Sequence, residues 1–234
     1  MTSLQAIIFD FDGVIANSEP LHLRAFQMTI AGLGAELSAE DYFTHYLGFD
    51  DVGMFQAFGK DRGLAFSEGD IRRLVTAKGL HLQSLTSGDG VLFPGAKEFV
   101  RAAAGAVPIA IASGALRHEI DEVVHGAGLA SLFDIIVASG DTPESKPSPA
   151  PYELAFRRLQ SSTATPLARE RCVAIEDSRW GLESARGAGL RCVGVTTSYT
   201  AAELPGAELI VGGLNELTID ALDRLCGMPL PPAR

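Results

Sequence analysis

Residues 4–9, Leu-Gln-Ala-Ile-Ile-Phe, form an apolar run too short for a helix, and the pattern predicts a buried strand over Leu4–Phe9. From Pro20 to Leu33 the period becomes helical, with Leu21, Ala25, Met28 and Leu33 near one face. Further helical segments follow with no convincing strand between them. Ser38 caps a helix through Tyr46, Asp50 or Asp51 starts another toward Gly59, and Ser67-Glu68-Gly69-Asp70 opens a longer one ending near Leu85. Thr86-Ser87-Gly88-Asp89-Gly90 breaks the pattern. Beyond it the periods alternate. Strands are predicted at Val107–Ala112, Ile135–Val137, Cys172–Ile175, Arg191–Val195 and Leu209–Val211. Helices are predicted from Leu116 to Ala127, Pro149 to Leu159, Ser178 to Ala188 and Asn215 to Leu225.

That alternation predicts an α/β fold, a parallel sheet covered by helices on both faces. Because the first strand must join this sheet, the helical block after it reads as an insertion. The expected division is therefore a core of residues 1–16 and 91–234, with an all-helical domain over 17–90. A chain of 234 residues can bury a core in such an arrangement. No internal repeat or low-complexity segment interrupts it, and Pro229-Leu230-Pro231-Pro232 reads as a loose tail.

Composition narrows the setting. No apolar stretch approaches the roughly 20 residues a membrane helix needs, and the first residues carry neither a basic region nor a small-residue cleavage site, so a cytoplasmic protein is expected. Cys172, Cys192 and Cys226 are odd in number and widely spaced, which suits small buried hydrophobes in a reducing compartment better than a disulfide framework or zinc site. Net charge is −10 and no basic run exceeds two residues, which leaves nucleic-acid binding without an electrostatic source. No amphipathic stretch marks a membrane surface or an obligate protein partner. An acidic chain can still bind a small anion where a divalent cation and a placed lysine offset the field.

The chemistry is concentrated at strand ends, where open parallel sheets place it. Asp10-Phe11-Asp12-Gly13-Val14 follows the first strand, and alternation along an extended chain places Asp10 and Asp12 on one side. Two like charges that close call for a cation between them, and Gly13 permits a sharp turn and close approach of a ligand to the backbone. After Val107–Ala112 come Ser113 and Gly114, either a simple helix cap or a hydroxyl and a backbone N–H that hold an anionic oxygen. Lys146 sits in a loop among Pro143, Pro147 and Pro149, either solvated or delivered to the carboxylates. Glu176-Asp177-Ser178 is a second acidic strand end, which a helix dipole alone would also favour.

In this order, Asp10-Phe11-Asp12-Gly13-Val14-Ile15, Ser113, Lys146-Pro147 and Glu176-Asp177 resemble the four motifs of the haloacid dehalogenase (HAD) superfamily, over almost the whole chain. Asn17-Ser18-Glu19-Pro20-Leu21-His22 and Glu176-Asp177-Ser178-Arg179-Trp180-Gly181-Leu182 look like its beta-phosphoglucomutase and phosphoglycolate phosphatase branch. The resemblance implies a Rossmann-like, HAD-like core with an inserted α-helical cap domain, and phosphoryl transfer assisted by Mg2+. It implies Asp10 as nucleophile and Asp12 as general acid and base, with Ser113 and Lys146 on the phosphoryl oxygens. The metal shell it implies is Asp10, Asp177, the Asp12 backbone carbonyl and Glu176, the last through water. Asp12 favours phosphate over carbon–halogen chemistry.

Two residues of the helical block resemble cap residues of the family. His22 matches one that couples cap closure to the general acid, and Lys78 one that reaches the phosphate. As residues alone they equally suit a packed histidine and a solvated lysine. Leu47-Gly48-Phe49-Asp50-Asp51 departs from the mutase pattern, in which an arginine after the glycine binds a second phosphate. Aspartates there would repel that phosphate, so hydrolysis of a small phosphomonoester is expected ahead of sugar-phosphate mutase turnover. A non-catalytic phosphate-binding protein is the third reading, and it has no need of Asp10 and Asp12 two residues apart.

Overall fold

The computed structural model describes residues 3–47, 49–85 and 91–229. The predicted break at Thr86–Gly90, Gly48, and the tail beyond Pro229 lie outside the described residues. The chain divides into two compact units, Met1–Asn17 with Gly88–Arg234, and Ser18–Ser87.

Among the described residues, the first unit is built on six parallel strands: β1 (Ala6–Phe9), β2 (Ile109–Ala112), β3 (Ile136–Val137), β4 (Cys172–Glu176), β5 (Arg191–Val195) and β6 (Leu209–Val211). Their spatial order is β3-β2-β1-β4-β5-β6, so β1 lies between β2 and β4. Phe9 stands level with Ile111 on one side and Ile175 on the other. Every residue of β1, β2, β4 and β5 is buried, as a sheet covered on both faces requires. Small side chains from alternate positions, Ala6, Ala110, Ala112, Cys172, Ala174 and Cys192, pack with Tyr152, Ala155, Leu182 and Ala185 in one cluster. Phe9 points the other way and meets Phe99 and Phe133 edge-on, at ring separations of 6.2 and 6.1 Å.

The second unit is helical. It comprises α1 (Glu19–Ala31), α2 (Ala39–Asp41) running into a wider i→i+5 turn over Tyr42–Tyr46, α3 (Asp51–Asp61) and α4 (Glu68–Leu85). Ser38 and Asp50 cap α2 and α3 by accepting from Asp41 N and Gly53 N, as their positions in the sequence predict. Phe26, Tyr42, Phe55, Phe58 and Leu74 form its own apolar core.

The covering helices of the sheet are α5 (Ala96–Ala106), α6 (Arg117–Gly126), α7 (Ala150–Ser162), α8 (Arg179–Gly187) and α9 (Ile219–Gly227). α5 is absent from the predicted elements. Its buried residues Ala96, Phe99, Val100 and Ala103 repeat at helical spacing opposite Lys97, Glu98 and Arg101, an amphipathic signal that the reading of the sequence passed over. The last helix starts four residues later than expected because Thr218, not the Asn215 region, caps it by accepting from Ala221 N. β2 begins at Ile109 rather than Val107, and Pro108 before it has no N–H for a ladder. Among the described residues, no helix is long and apolar enough to cross a membrane. Cys172, Cys192 and Cys226 are buried and free.

Candidate active site

The strand order converts distant motifs into neighbours. Asp10 leaves the end of β1, and its N–H donates to Ile175 O of β4 at 2.9 Å. Ser113 leaves the end of β2, and Glu176 ends β4 with Asp177 immediately after it. Among the described residues, one carboxylate oxygen each from Asp10, Glu176 and Asp177 lie within 4.8 Å of one another, all three residues buried.

Lys146 is delivered to this group from the loop before α7. Its Nζ lies 2.8 Å from Asp10 Oδ1 and 2.6 Å from Glu176 Oε1, and 5.0 Å from the Tyr152 ring centre. Tyr152 donates its hydroxyl to the same Glu176 Oε1 at 2.7 Å, while Ser178 Oγ donates to Oε2 at 3.1 Å. Glu176 is thus held from both ends, an anchor for Lys146 as much as a site for a cation.

Three buried carboxylates face one ammonium, and the titration of Asp10 and Asp177 reflects the excess. Burial first, then Glu176, pushes Asp10 well above the usual carboxylate range, with Lys146 opposing. Burial and then Glu176 push Asp177 up to about 7. Burial works against the charge of Lys146, yet Asp10 and Glu176 outweigh it and hold the ammonium above its ordinary value. Burial followed by Glu176 also raises the Tyr152 phenol, keeping it a hydrogen-bond donor.

Two glycines make the space. Gly13 adopts φ +78°, and a Cβ there would lie 1.9 Å from Asp177 Oδ2. A Cβ on Gly181, in α8, would lie 1.9 Å from Glu176 Oε1. Hard oxygen donors, uncompensated negative charge and a cradle that any side chain would fill are what a divalent cation such as magnesium requires.

Asp12 lies beyond the end of the strand. Strand geometry stops at Phe9, and Ile15 and Ala16 donate back to Phe11 O at 2.9 Å, so a tight turn rather than strand alternation sets the Asp12 side chain. Its carboxylate is outside the three-residue group, leaving the backbone carbonyl that the motif implied as its contribution there. Ser113 is buried and accepts from Ala115 N at 3.0 Å, a local turn that leaves its own proton to donate. Gly114 is exposed, and nothing would lie within 4 Å of a Cβ on it, so close approach explains Gly13 but not Gly114.

His22 and Lys78 meet within the helical unit. Lys78 is 1% exposed, its Nζ lying 2.8 Å from Asp51 Oδ1 and 2.9 Å from His22 Nδ1. Burial, then Lys78, lowers His22 to about 3, so the ring is neutral and accepts from the ammonium. Asp51 is therefore matched by Lys78 and Asp50 by the start of α3, which weakens the repulsion expected of these aspartates toward a second phosphate.

Sequence reasoning passed over Tyr152, Gly181, Thr197 and Ser198. Ser198 Oγ donates to Asp177 Oδ2, and Thr197 Oγ1 to the Gly13 carbonyl. Thr196-Thr197-Ser198 follows a strand as the other motifs do, and that position was the available signal. Tyr152, inside an ordinary amphipathic helix, carried none.

Comparison with known proteins agrees with this geometry. A family profile described as haloacid dehalogenase-like hydrolase matches residues 4–189. Protein CbbY of Cereibacter sphaeroides is 33% identical over 92% of this chain and 94% of its own. A mutant CbbY from Rhodobacter sphaeroides, solved in complex with xylulose-(1,5)bisphosphate, is 30% identical, covers 94% of this chain and 99% of its own, and superposes with a TM-score of 0.79. A beta-phosphoglucomutase from Clostridium difficile shares the fold at 21% identity, with a TM-score of 0.77 over 96% of this chain and 97% of its own. The chain belongs to the haloacid dehalogenase-like hydrolases.

Proposed function

We propose that this enzyme is a magnesium-dependent phosphatase that hydrolyses a small phosphorylated sugar or related phosphomonoester in the cytoplasm, through an aspartyl phosphate on Asp10. The convergence of Asp10, Lys146, Glu176 and Asp177 at adjacent strand ends carries this reading. Asp10, Asp177 and the Asp12 carbonyl, with Glu176 behind them, would hold magnesium, which when bound supplies positive charge against the phosphoryl oxygens.

Lys146 presents a permanent ammonium beside the nucleophile and lowers the repulsion between an anionic ester and Asp10. Ser113 donates its hydroxyl to a phosphoryl oxygen, and the backbone N–H of Gly114 adds to it. An oxygen of Asp10 attacks phosphorus, the bond to the leaving oxygen breaks, and Asp12 gives that oxygen its proton. Asp12 then takes a proton from water, whose oxygen attacks the aspartyl phosphate and releases inorganic phosphate and free Asp10. The helical segment, residues 17–90, acts as the cap that selects substrate, with His22 and Lys78 among its contributions.

CbbY's xylulose-(1,5)bisphosphate makes a sugar bisphosphate the first substrate to try, and the engagement of Asp50 and Asp51 within the helical unit weakens the objection to a second phosphate. The test is phosphate release from a panel of sugar phosphates and bisphosphates, with and without magnesium, with Asp10→Asn as control. Magnesium-dependent release abolished by Asp10→Asn is the expected result. Isomerisation of a hexose phosphate without release would move the protein to the mutases, and release unaffected by Asp10→Asn would overturn the mechanism.

A further inference from the structure

The segment after β5 has no part in the chemistry above, yet two of its hydroxyls meet the site at two points. Thr196 N–H still donates to Val211 O at 3.0 Å, so the segment leaves the sheet anchored to β6. Thr197 then donates to the carbonyl of Gly13, in the loop after β1, and Ser198 to Oδ2 of Asp177, after β4. Three strand ends are tied together by consecutive residues.

The tie acts where orientation is hardest to keep. Glu176 and Asp177 are adjacent acids, and a carboxylate repelled by its neighbour turns away unless something holds it. A hydroxyl donor on Oδ2 fixes rotation of the Asp177 carboxylate and leaves its remaining lone pairs for a cation. The geometry leaves little slack, since a Cβ on Gly13 would lie 1.9 Å from that Oδ2 and 3.0 Å from Ser198 Oγ. Ser198 itself is exposed, so it contributes little to the packed core.

We infer that Ser198 is a positioning residue for magnesium, holding Asp177 in a binding orientation, with Thr197 holding the first loop against it. The inference rests on the reading of Asp177 as a magnesium ligand. Hydrogen-bond partners behind metal ligands typically govern affinity by about 10–100-fold.

The experiment titrates magnesium into the metal-free full-length protein by calorimetry, for the parent, Ser198→Ala and Ser198→Thr, and records each melting temperature in chelator. The expected result is affinity weaker by about 10–100-fold in Ser198→Ala, kept in Ser198→Thr, with the metal-free melting temperature unmoved. Equal affinity in the parent and Ser198→Ala overturns the inference while leaving the metal site standing. Loss of affinity in step with a lowered metal-free melting temperature in both variants also overturns it, because the role is then structural. A parent that takes up no magnesium overturns the metal site and the inference with it.

Discussion

Replacing Lys146 with methionine removes one charge from the most crowded electrostatic point of the protein while keeping a long chain to pack against Tyr152. The ammonium lies 2.8 Å from Asp10 and 2.6 Å from Glu176, so its loss leaves two buried carboxylates without that partner, and Asp177 beside them. Breaking a buried ion pair from one side costs about 3–5 kcal/mol, and in a chain of this size that corresponds to a fall of about 6–20 °C in melting temperature. The pH dependence is the sharper test. Lys146 is held above its ordinary value, so its stabilisation is complete below the usual lysine range and is lost only as pH rises through its folded value, beyond any pH used here. Asp10 behaves differently. Lys146 opposes the upward shift of Asp10, and without it the folded carboxyl binds its proton still more tightly than the unfolded chain does. Stability of the variant therefore falls as pH rises, and Lys146→Met should cost more at pH 8 than at pH 5.5. Melting followed by circular dichroism in chelator, parent against variant at both pH values, measures this. Equal losses at the two pH values, or a larger loss at the lower one, would refute the reasoning.

The metal-free parent should itself lose stability as pH rises through about 7, since Asp177 and Asp10 bind protons more tightly folded than unfolded; added magnesium should flatten that slope, and a urea-melt series from pH 5 to 8 with and without it reads both effects. Gly181→Ala should destabilise by about 1–3 kcal/mol because its Cβ collides with the Glu176 carboxylate. Gly105→Ala, also in a helix but exposed and with nothing within 4 Å, should stabilise by about 1 kcal/mol, and matching changes in the two urea midpoints would show that helix propensity alone is at work.

Much of the fold was legible because its signals are local. An apolar run that stops at Asp10, serines and aspartates placed to cap Ser38, Asp50 and Ser178 helices, and alternating periods after residue 107 depend only on neighbours in sequence. The strand-end rule then singled out Asp10, Ser113, Glu176 and Asp177. The reading failed at α5, whose apolar stripe it passed over, and at the start of α9, where Thr218 rather than the Asn215 region supplies the cap.

Sequence by itself determined which residue types stand at the strand ends, because Asp10, Asp12, Ser113 and Glu176-Asp177 are read directly from the chain. Tertiary structure decided their company. Tyr152 reaches Glu176 across 24 residues, Ser198 reaches Asp177 across 21, and Lys78 turns to Asp51 and His22 rather than to solvent. Such pairings follow from strand order and helix packing, and no local pattern encodes them. A side chain's partner is chosen by the fold that encloses it, where burial makes every unpaired charge expensive.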